Sequence, residues 1–335
     1  MILDRGVFDV ETFVPSDLVH RDGPLDALSA SLEPVVRHGT GRQTHIFGPS
    51  GAGKTCLARY CLKQLREEAP HVRRQYINCW EHFATTAILY QLAAGVGTAA
   101  DIRPDTVSHD ELLRRVRDAD EYAYVVVLDE VDQIEEPQLL YQLYRMAHVH
   151  TIYIANEEHA FFTRLDERLT SRLRSGEPIT LDRYSRDELV SILERRAEAG
   201  LETGATTEAI LTEIAQLATG DARVAVETLF QAARKARARG SGTIEQRDIE
   251  DAEPVARSEL RQKTLSQLTR HQRLLYEALC DAPGETGMGD LEQRYRERVE
   301  QPKSTKTLRR YLQKLAQYNL VAIEGEKSGR RYLAR

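Results

Sequence analysis

The sequence predicts an α/β domain built on a parallel sheet with helices on both faces, followed by an all-helical unit and a small basic C-terminal domain. Three observations predict it. An apolar stretch runs into the glycine-rich turn Gly48-Pro49-Ser50-Gly51-Ala52-Gly53-Lys54-Thr55 and leaves it as a helical pattern. A second apolar run, Tyr122 to Leu128, ends in the carboxylate pair Asp129-Glu130. Strand signal stops after Leu181, and the balance of charge reverses near Arg261. A chain of 335 residues suits two or three domains with a real core.

The elements follow in order. Gln43 to Phe47 reads as a strand entering the loop, and Ala52 to Arg66 as the helix leaving it. Gln75 to Asn78 is a second strand. Tyr122 to Leu128 is a third, apolar throughout as a central parallel strand is. Thr151 to Ala155 is a fourth, and Ile179 to Leu181 a short fifth. Strands alternating with helical patterns imply a parallel sheet. The first domain is expected over residues 1–176.

From Ser185 only helices are expected. Ser185 and Glu188 form a capping box before Leu189, Ile192 and Leu193. Thr206 to Ala218 and Ala222 to Arg237 are two further helices, giving a helical lid over 177–253. Asp251-Ala252-Glu253-Pro254 interrupts the pattern and is expected as a linker. In 262–335, Thr269 and Gln272 open a helix to Cys280, Asp290 to Val299 is a second, and Ser304 caps a third. That third helix buries Leu308, Tyr311, Leu312 and Leu315 and shows Lys306, Arg309, Arg310, Gln313 and Lys314. Asn319 ends it in the left-handed conformation. Leu320 to Ile323 and Arg331 to Ala334 then flank a glycine-bearing basic tip with Lys327 and Arg330. Three helices and a basic hairpin are the layout of a winged helix.

Composition narrows the function. Hydrophobic residues make up 41%, a globular value, with no repeat and no low-complexity tract. The stretch Tyr124 to Leu128 is too short to span a bilayer, and MILDRGVFDVETF lacks the apolar core of a signal peptide. A cytoplasmic protein without a membrane partner is expected. Cys56, Cys61, Cys79 and Cys280 show no metal-ligand spacing and read as buried or half-buried thiols. Net charge is −6, but residues 261–335 hold 16 basic and 9 acidic residues against 30 and 43 in the remainder. An acidic body with a basic end points to a nucleic-acid contact at that end; the plain alternative is a solvated basic face.

The chemistry sits at the ends of the strands. In a loop of the form Gly-x4-Gly-Lys-Thr, backbone N–H groups turn inward onto phosphate oxygens. Here those groups come from Ser50, Gly51, Ala52, Gly53, Lys54, Thr55 and Cys56. Lys54 is expected on the β- and γ-phosphates of ATP or ADP, and Thr55 with Asp129 on Mg²⁺. Glu130 adds the carboxylate that deprotonates a water, which favours hydrolysis over transfer to a substrate. Asn156, past the fourth strand, positions that water. Arg168 or Arg172 can serve a neighbouring subunit's γ-phosphate, and Arg223 that of its own. Taken singly, each arginine is more often half of a surface salt bridge; the order of motifs gives them weight.

That order resembles an AAA+ ATPase: the phosphate loop, Leu128-Asp129-Glu130-Val131-Asp132, Asn156, Ser171-Arg172-Leu173, then Gly220-Asp221-Ala222-Arg223. Phe13-Val14-Pro15, Leu18-Val19-His20-Arg21, Tyr76-Ile77-Asn78-Cys79, Leu140-Tyr141 and Leu165 to Arg168 are similar to archaeal Orc/Cdc-type replication initiators. The resemblance implies an adenine pocket at Val14, Pro15, His20 and Arg21, with Tyr184 and Arg196 near the nucleotide. It implies Asn156 as first sensor, Arg223 as second and Arg172 as the finger reaching another copy or a paralogue. It implies slow, regulatory ATP hydrolysis, and a winged helix that binds origin repeats in duplex DNA through Ser304, Lys306, Arg309, Arg310, Gln313, Lys327, Arg330 and Arg331. A helical insert within Trp80 to Asp120 that touches DNA, and a replicative helicase as partner, follow from it alone. Val19 stands where a proline is common in the family. A paralogue acting in transcription regulation or plasmid or mobile-element maintenance is the alternative role. A small-molecule kinase is disfavoured by Asp129-Glu130, the lid and the winged helix.

Overall fold

The computed structural model describes residues 1–103, 106–176, 178–325 and 329–335. The chain divides into two compact units, Met1–Glu253 and Pro254–Arg335.

In the first unit the elements run α1 (Asp22–His38), β1 (Gln43–Phe47), α2 (Lys54–Glu68), β2 (Arg73–Asn78), α3 (Thr85–Gly95), α4 (His109–Asp118), β3 (Tyr124–Asp129), α5 (Gln138–Tyr144), β4 (Val149–Ala155), α6 (Glu158–Thr163), α7 (Glu167–Leu173) and β5 (Pro178–Thr180). The strands pair in the order β2-β3-β4-β1-β5, every pair parallel. β3 and β4 are buried at every position. Valine and isoleucine suit them, because a branched Cβ packs well on a pleated surface.

Alternate residues of these strands serve two cores. Val125, Val127, Ile152 and Ile154 face α1 and α2, meeting Leu28, Leu32, Val35, Leu57 and Cys61. Val126, Leu128 and Tyr153 face the other side, meeting Leu89, Leu92, Leu112, Val116, Leu140 and Phe161. With both faces covered, every functional group must leave the sheet at a strand end. In a sheet of this kind ligands gather outside the carboxyl ends of the strands. Between β2 and β3, in the stretch where a helical insert is expected, lie α3 and α4.

The lid is α8 (Arg186–Gly200), α9 (Glu208–Ala218) and α10 (Ala222–Ala238), with the Ser185–Glu188 capping box in place. Residues 1–8 pack on this lid: Leu3 N donates to Gly200 O at 2.8 Å, and Phe8 stacks on Phe230 at 5.5 Å between centroids.

The boundary between the two units, Glu253 to Pro254, falls within the expected linker, but the helical pattern is not interrupted there. Asp251 to Pro254 lie inside the helix α11 (Gln246–Gln267). An internal proline forfeits one backbone bond and costs about 3 kcal/mol. Here Ile249, Ala252 and Ala256 are fully buried at helical spacing on both sides of it, which holds the helix through the break.

The second unit continues with α12 (Arg270–Cys280), β6 (Thr286–Gly287), α13 (Met288–Arg296), α14 (Thr305–Gln317), β7 (Val321–Glu324) and β8 (Arg331–Ala334). The Thr269–Gln272 box and the Ser304 cap are formed, and Asn319 has φ +57°. β6, β8 and β7 make an antiparallel sheet in that order, completing a winged helix. Among the described residues no helix is long and apolar enough to cross a membrane.

Candidate nucleotide site and basic helix

The ends of β1, β3 and β4 bring the predicted residues together. The loop after β1 turns on glycines in the left-handed region, Gly51 at φ +80° and Gly53 at φ +90°. A Cβ at Gly53 would stand 2.4 Å from Tyr184 Oη, and one at Gly51 2.1 Å from Asp221 Oδ1. Glycine therefore serves both the turn and the close approach of the lid.

Lys54 opens α2 and is buried. Its Nζ donates to Gly48 O at 2.7 Å, Pro49 O at 2.9 Å and Asn156 Oδ1 at 2.9 Å. Burial holds its pKa below the usual lysine range, against the pull of the Glu130 and Asp129 carboxylates. Thr55 Oγ1 donates to Asp129 Oδ2 at 2.6 Å. Glu130 follows at φ +55°, a conformation uncommon for side chains other than asparagine and aspartate. Asn156 is tied to the loop through its carbonyl, which accepts from Gly48 N at 3.2 Å, while its Nδ2 is buried without a partner.

The lid supplies Arg223 from the first turn of α10. Its guanidinium is half-exposed and ion-paired to Asp221 at 2.9 Å. Asp221 also caps α10 by accepting from Arg223 N at 2.9 Å. Ala222 N donates to Gly51 O at 3.2 Å, so lid and phosphate loop are hydrogen-bonded directly.

Arg21 is buried and spends its guanidinium on Ala52 O at 3.1 Å and Asp182 O at 3.0 Å, lying 3.8 Å over the Tyr184 ring. His20 beside it is exposed, and Val14 and Pro15 are half-buried. Arg196 reaches back to Val7 O and lies 4.1 Å over the Phe13 ring. Burial pushes the Cys56 thiol up, with Arg196 and Arg59 opposing.

Arg172 is elsewhere. Its carbonyl accepts from Gln43 Nε2 at 2.9 Å, at the end of β1 away from the loop. Arg168 and Arg172 flank the Tyr141 ring at 5.4 and 5.5 Å.

The residues fit a magnesium–nucleotide. A hydroxyl and carboxylates suit a hard cation. The loop turns on glycines at positive φ, as a loop that presents its backbone N–H groups to phosphate does, and Asn156 Nδ2 is a buried donor with no protein acceptor. Sequence reasoning gave no role to two residues of this site. Tyr76 Oη donates to Asp129 Oδ2 at 2.7 Å, and Asp221 holds Arg223. The signal for Tyr76 is its position on β2, the same face as Asn78, which pairs in register with Asp129.

In the second unit, Ser304, Lys306, Arg309 and Gln313 are exposed on α14, and Arg310 is half-exposed. Lys314 was expected on this face but is buried, 4% exposed, and Tyr311 is only half-buried. Lys314 sits at the flank of the Leu308–Leu312–Leu315 stripe, where a long aliphatic stem covers apolar surface. Arg331 is exposed and Arg330 half-exposed; Lys327 lies outside the described residues. Cys280, expected buried or half-buried, is exposed at the end of α12.

Comparison with known proteins gives this geometry a family. Residues 17–155 match the AAA ATPase domain, and residues 190–254 the Cdc6 AAA+ ATPase-type lid domain. ORC1-type DNA replication protein 1 of Halobacterium salinarum is 41% identical over 309 residues, covering 92% of this chain and 100% of that protein. ORC1-type DNA replication protein 9 of the same organism is 38% identical over 320 residues, covering 96% and 90%. The Aeropyrum pernix ORC1 protein, solved in complex with DNA, has the same fold: TM-score 0.78 at 24% identity, over 99% of this chain and 93% of that one. This chain is an AAA+ ATPase and belongs to the ORC1-type DNA replication proteins.

Proposed function

We propose that the protein is an ATP-dependent initiator of DNA replication that binds duplex DNA at origin repeats and uses slow ATP hydrolysis as its control step. The observation that carries the ATP half is the meeting of Lys54, Thr55, Asp129 and Asn156 at three strand ends, with the lid residue Arg223 at the same loop. Family membership, with the exposed cations of α14, carries the DNA half.

In this reading the loop from Ser50 to Cys56 and Lys54 hold the phosphates, and Thr55 and Asp129 hold Mg²⁺. Magnesium supplies charge neutralisation on the transferred phosphoryl group. Glu130 takes the proton of the attacking water and Asn156 orients it. Val14, Pro15 and His20 border the base, while Arg21, Tyr184 and Arg196 support the wall behind the loop. Arg223 reports the nucleotide to the lid of its own subunit. Arg172 acts on the site of another copy or a paralogue, since it stands at the far end of β1 from Lys54.

The winged helix places Ser304, Lys306, Arg309, Arg310 and Gln313 of α14 in the major groove, with Lys327, Arg330 and Arg331 at backbone or minor groove. The insert of α3 and α4 adds a DNA contact, and a replicative helicase is the recruited partner. The protein acts in the cytoplasm, on the nucleoid.

Mapping its sites on its own genome, by crosslinking and sequencing bound DNA, tests this. A few sharp sites at the start points of DNA synthesis support it. Sites confined to promoters or to one mobile element would overturn the origin role and move the same ATPase to regulation or element maintenance.

A further inference from the structure

Asp129 is held by more than the loop it serves. Its Oδ1 accepts from Glu130 N at 2.9 Å. Its Oδ2 accepts twice, from Thr55 Oγ1 at 2.6 Å and from Tyr76 Oη at 2.7 Å. The carboxylate is 3% exposed. Tyr76 reaches it because β2 and β3 run parallel with Tyr76 opposite Val127 and Asn78 opposite Asp129. Tyr76, Val127 and Asp129 therefore share the face that looks onto α2. From α2 comes Arg59, one turn after Thr55, with its guanidinium carbon 4.0 Å from the centre of the Tyr76 ring.

We propose that Tyr76 is a positioning residue for the magnesium ion, fixing the Asp129 carboxylate in the rotamer that receives the metal, with Arg59 clamping the Tyr76 ring. The inference rests on the reading of this site as a magnesium–nucleotide site. Two donors on Oδ2 and one on Oδ1 leave the carboxylate no freedom to turn about its Cβ–Cγ bond. Because Thr55 spends its proton on Oδ2, its own lone pairs remain for a cation. At 2.7 Å from a carboxylate oxygen, which only accepts, the Tyr76 hydroxyl is the donor. Partners that orient a metal ligand in this way commonly carry about ten- to a hundredfold of metal affinity. The plain alternative is a core tyrosine whose hydroxyl has merely found an acceptor.

Tyr76→Phe in the full chain separates the two. It keeps the ring and the Arg59 stack and removes only the hydroxyl. Binding of a fluorescent ATP analogue is titrated first in EDTA and then against Mg²⁺. Binding without magnesium is expected to stay within about twofold of wild type. The Mg²⁺ concentration that gives half of the metal-dependent gain is expected to rise about tenfold. A midpoint equal to wild type overturns the proposal, since a space-filling tyrosine would leave it unmoved. Should Tyr76→Phe fail to fold, Arg59→Met removes the cation over the ring and is expected to raise the midpoint about two- to fivefold; no rise there also overturns it. Wild-type protein that binds no nucleotide under either condition sinks the site reading itself, a distinct result.

Discussion

Substituting Gly51 by alanine tests whether the lid and the phosphate loop are pressed together as the geometry requires. The residue has φ +80°, and an added Cβ would lie 2.1 Å from Asp221 Oδ1 and 2.3 Å from its carboxyl carbon. A left-handed alanine alone costs about 1–2 kcal/mol. Asp221 must also move, and in moving it gives up the cap of α10, worth about 1 kcal/mol. Gly51→Ala should then cost about 2–3 kcal/mol, a fall in thermal midpoint of about 4–12 °C for a unit of this size. Asp221→Ala alone loses the same cap, about 1 kcal/mol, the half-exposed pair with Arg223 adding little. In the double variant the obstructing carboxylate is gone, so the cap is lost once rather than twice. The double should be less destabilised than the sum by about 1 kcal/mol. Thermal and urea unfolding of the four proteins, followed by circular dichroism, close the cycle. Additivity within about 0.3 kcal/mol would refute the contact between loop and lid.

Three further outcomes are expected. Lys54→Ala should abolish ATP binding, whereas Glu130→Gln should bind ATP and lose hydrolysis; phosphate release at the wild-type rate would remove Glu130 as the base. His45 and His150 are 1% and 0% exposed, and burial lowers each pKa to about 4. The unfolded chain takes up these protons at its ordinary value near 6.5, so stability is full above that pH and is lost as pH falls toward 4, about 3 kcal/mol per histidine. Thermal midpoints should fall from pH 7 to pH 5, above the carboxylate range, and His150→Gln should flatten the fall; a flat wild-type profile would show both rings to be accessible to protons. Arg309→Ala should lower the slope of log affinity for duplex DNA against log salt by about 1; an unchanged slope would take Arg309 off the phosphates.

What could be read in the sequence was local. The phosphate loop, the apolar run ending in Asp129 and the caps at Ser185, Thr269 and Ser304 each lie within a few residues of the structure they specify. The strand order was not written locally, but the carboxyl ends of parallel strands must share one edge, so Lys54, Asp129 and Asn156 could be grouped in advance. The misses were matters of tertiary context. Pro254 reads as a break and is overridden by buried neighbours. Lys314 reads as solvent-facing by type, but lies at the margin of the apolar stripe. Asp221 and Tyr76 read as a loop acid and a strand aromatic. Their roles come from partners far off in sequence or, for Arg223, from the exact turn of a helix N-terminus.

The cations of the nucleotide site are already engaged by the protein, and this bears on how ATP could act as a control signal. Lys54 holds two loop carbonyls and Asn156, Arg223 holds Asp221, and Arg21 holds Ala52 O and Asp182 O. A phosphate arriving at Lys54 or Arg223 exchanges one partner for another instead of filling an unmet need. The net gain is then a difference between two sets of charge-assisted bonds, each worth only about 1.5–3 kcal/mol. A γ-phosphate that draws Arg223 from Asp221 acts on the residue that also caps α10 and abuts Gly51. With Arg223 as the proposed sensor, that one phosphate is coupled to the first turn of the lid, and ADP would leave the Arg223–Asp221 pair in place. Discrimination between ATP and ADP should accordingly weaken in Asp221→Asn, where the asparagine still caps the helix but no longer competes for the guanidinium. Equilibrium binding of both nucleotides measures the ratio, and a ratio equal to wild type would place the sensing outside this pair.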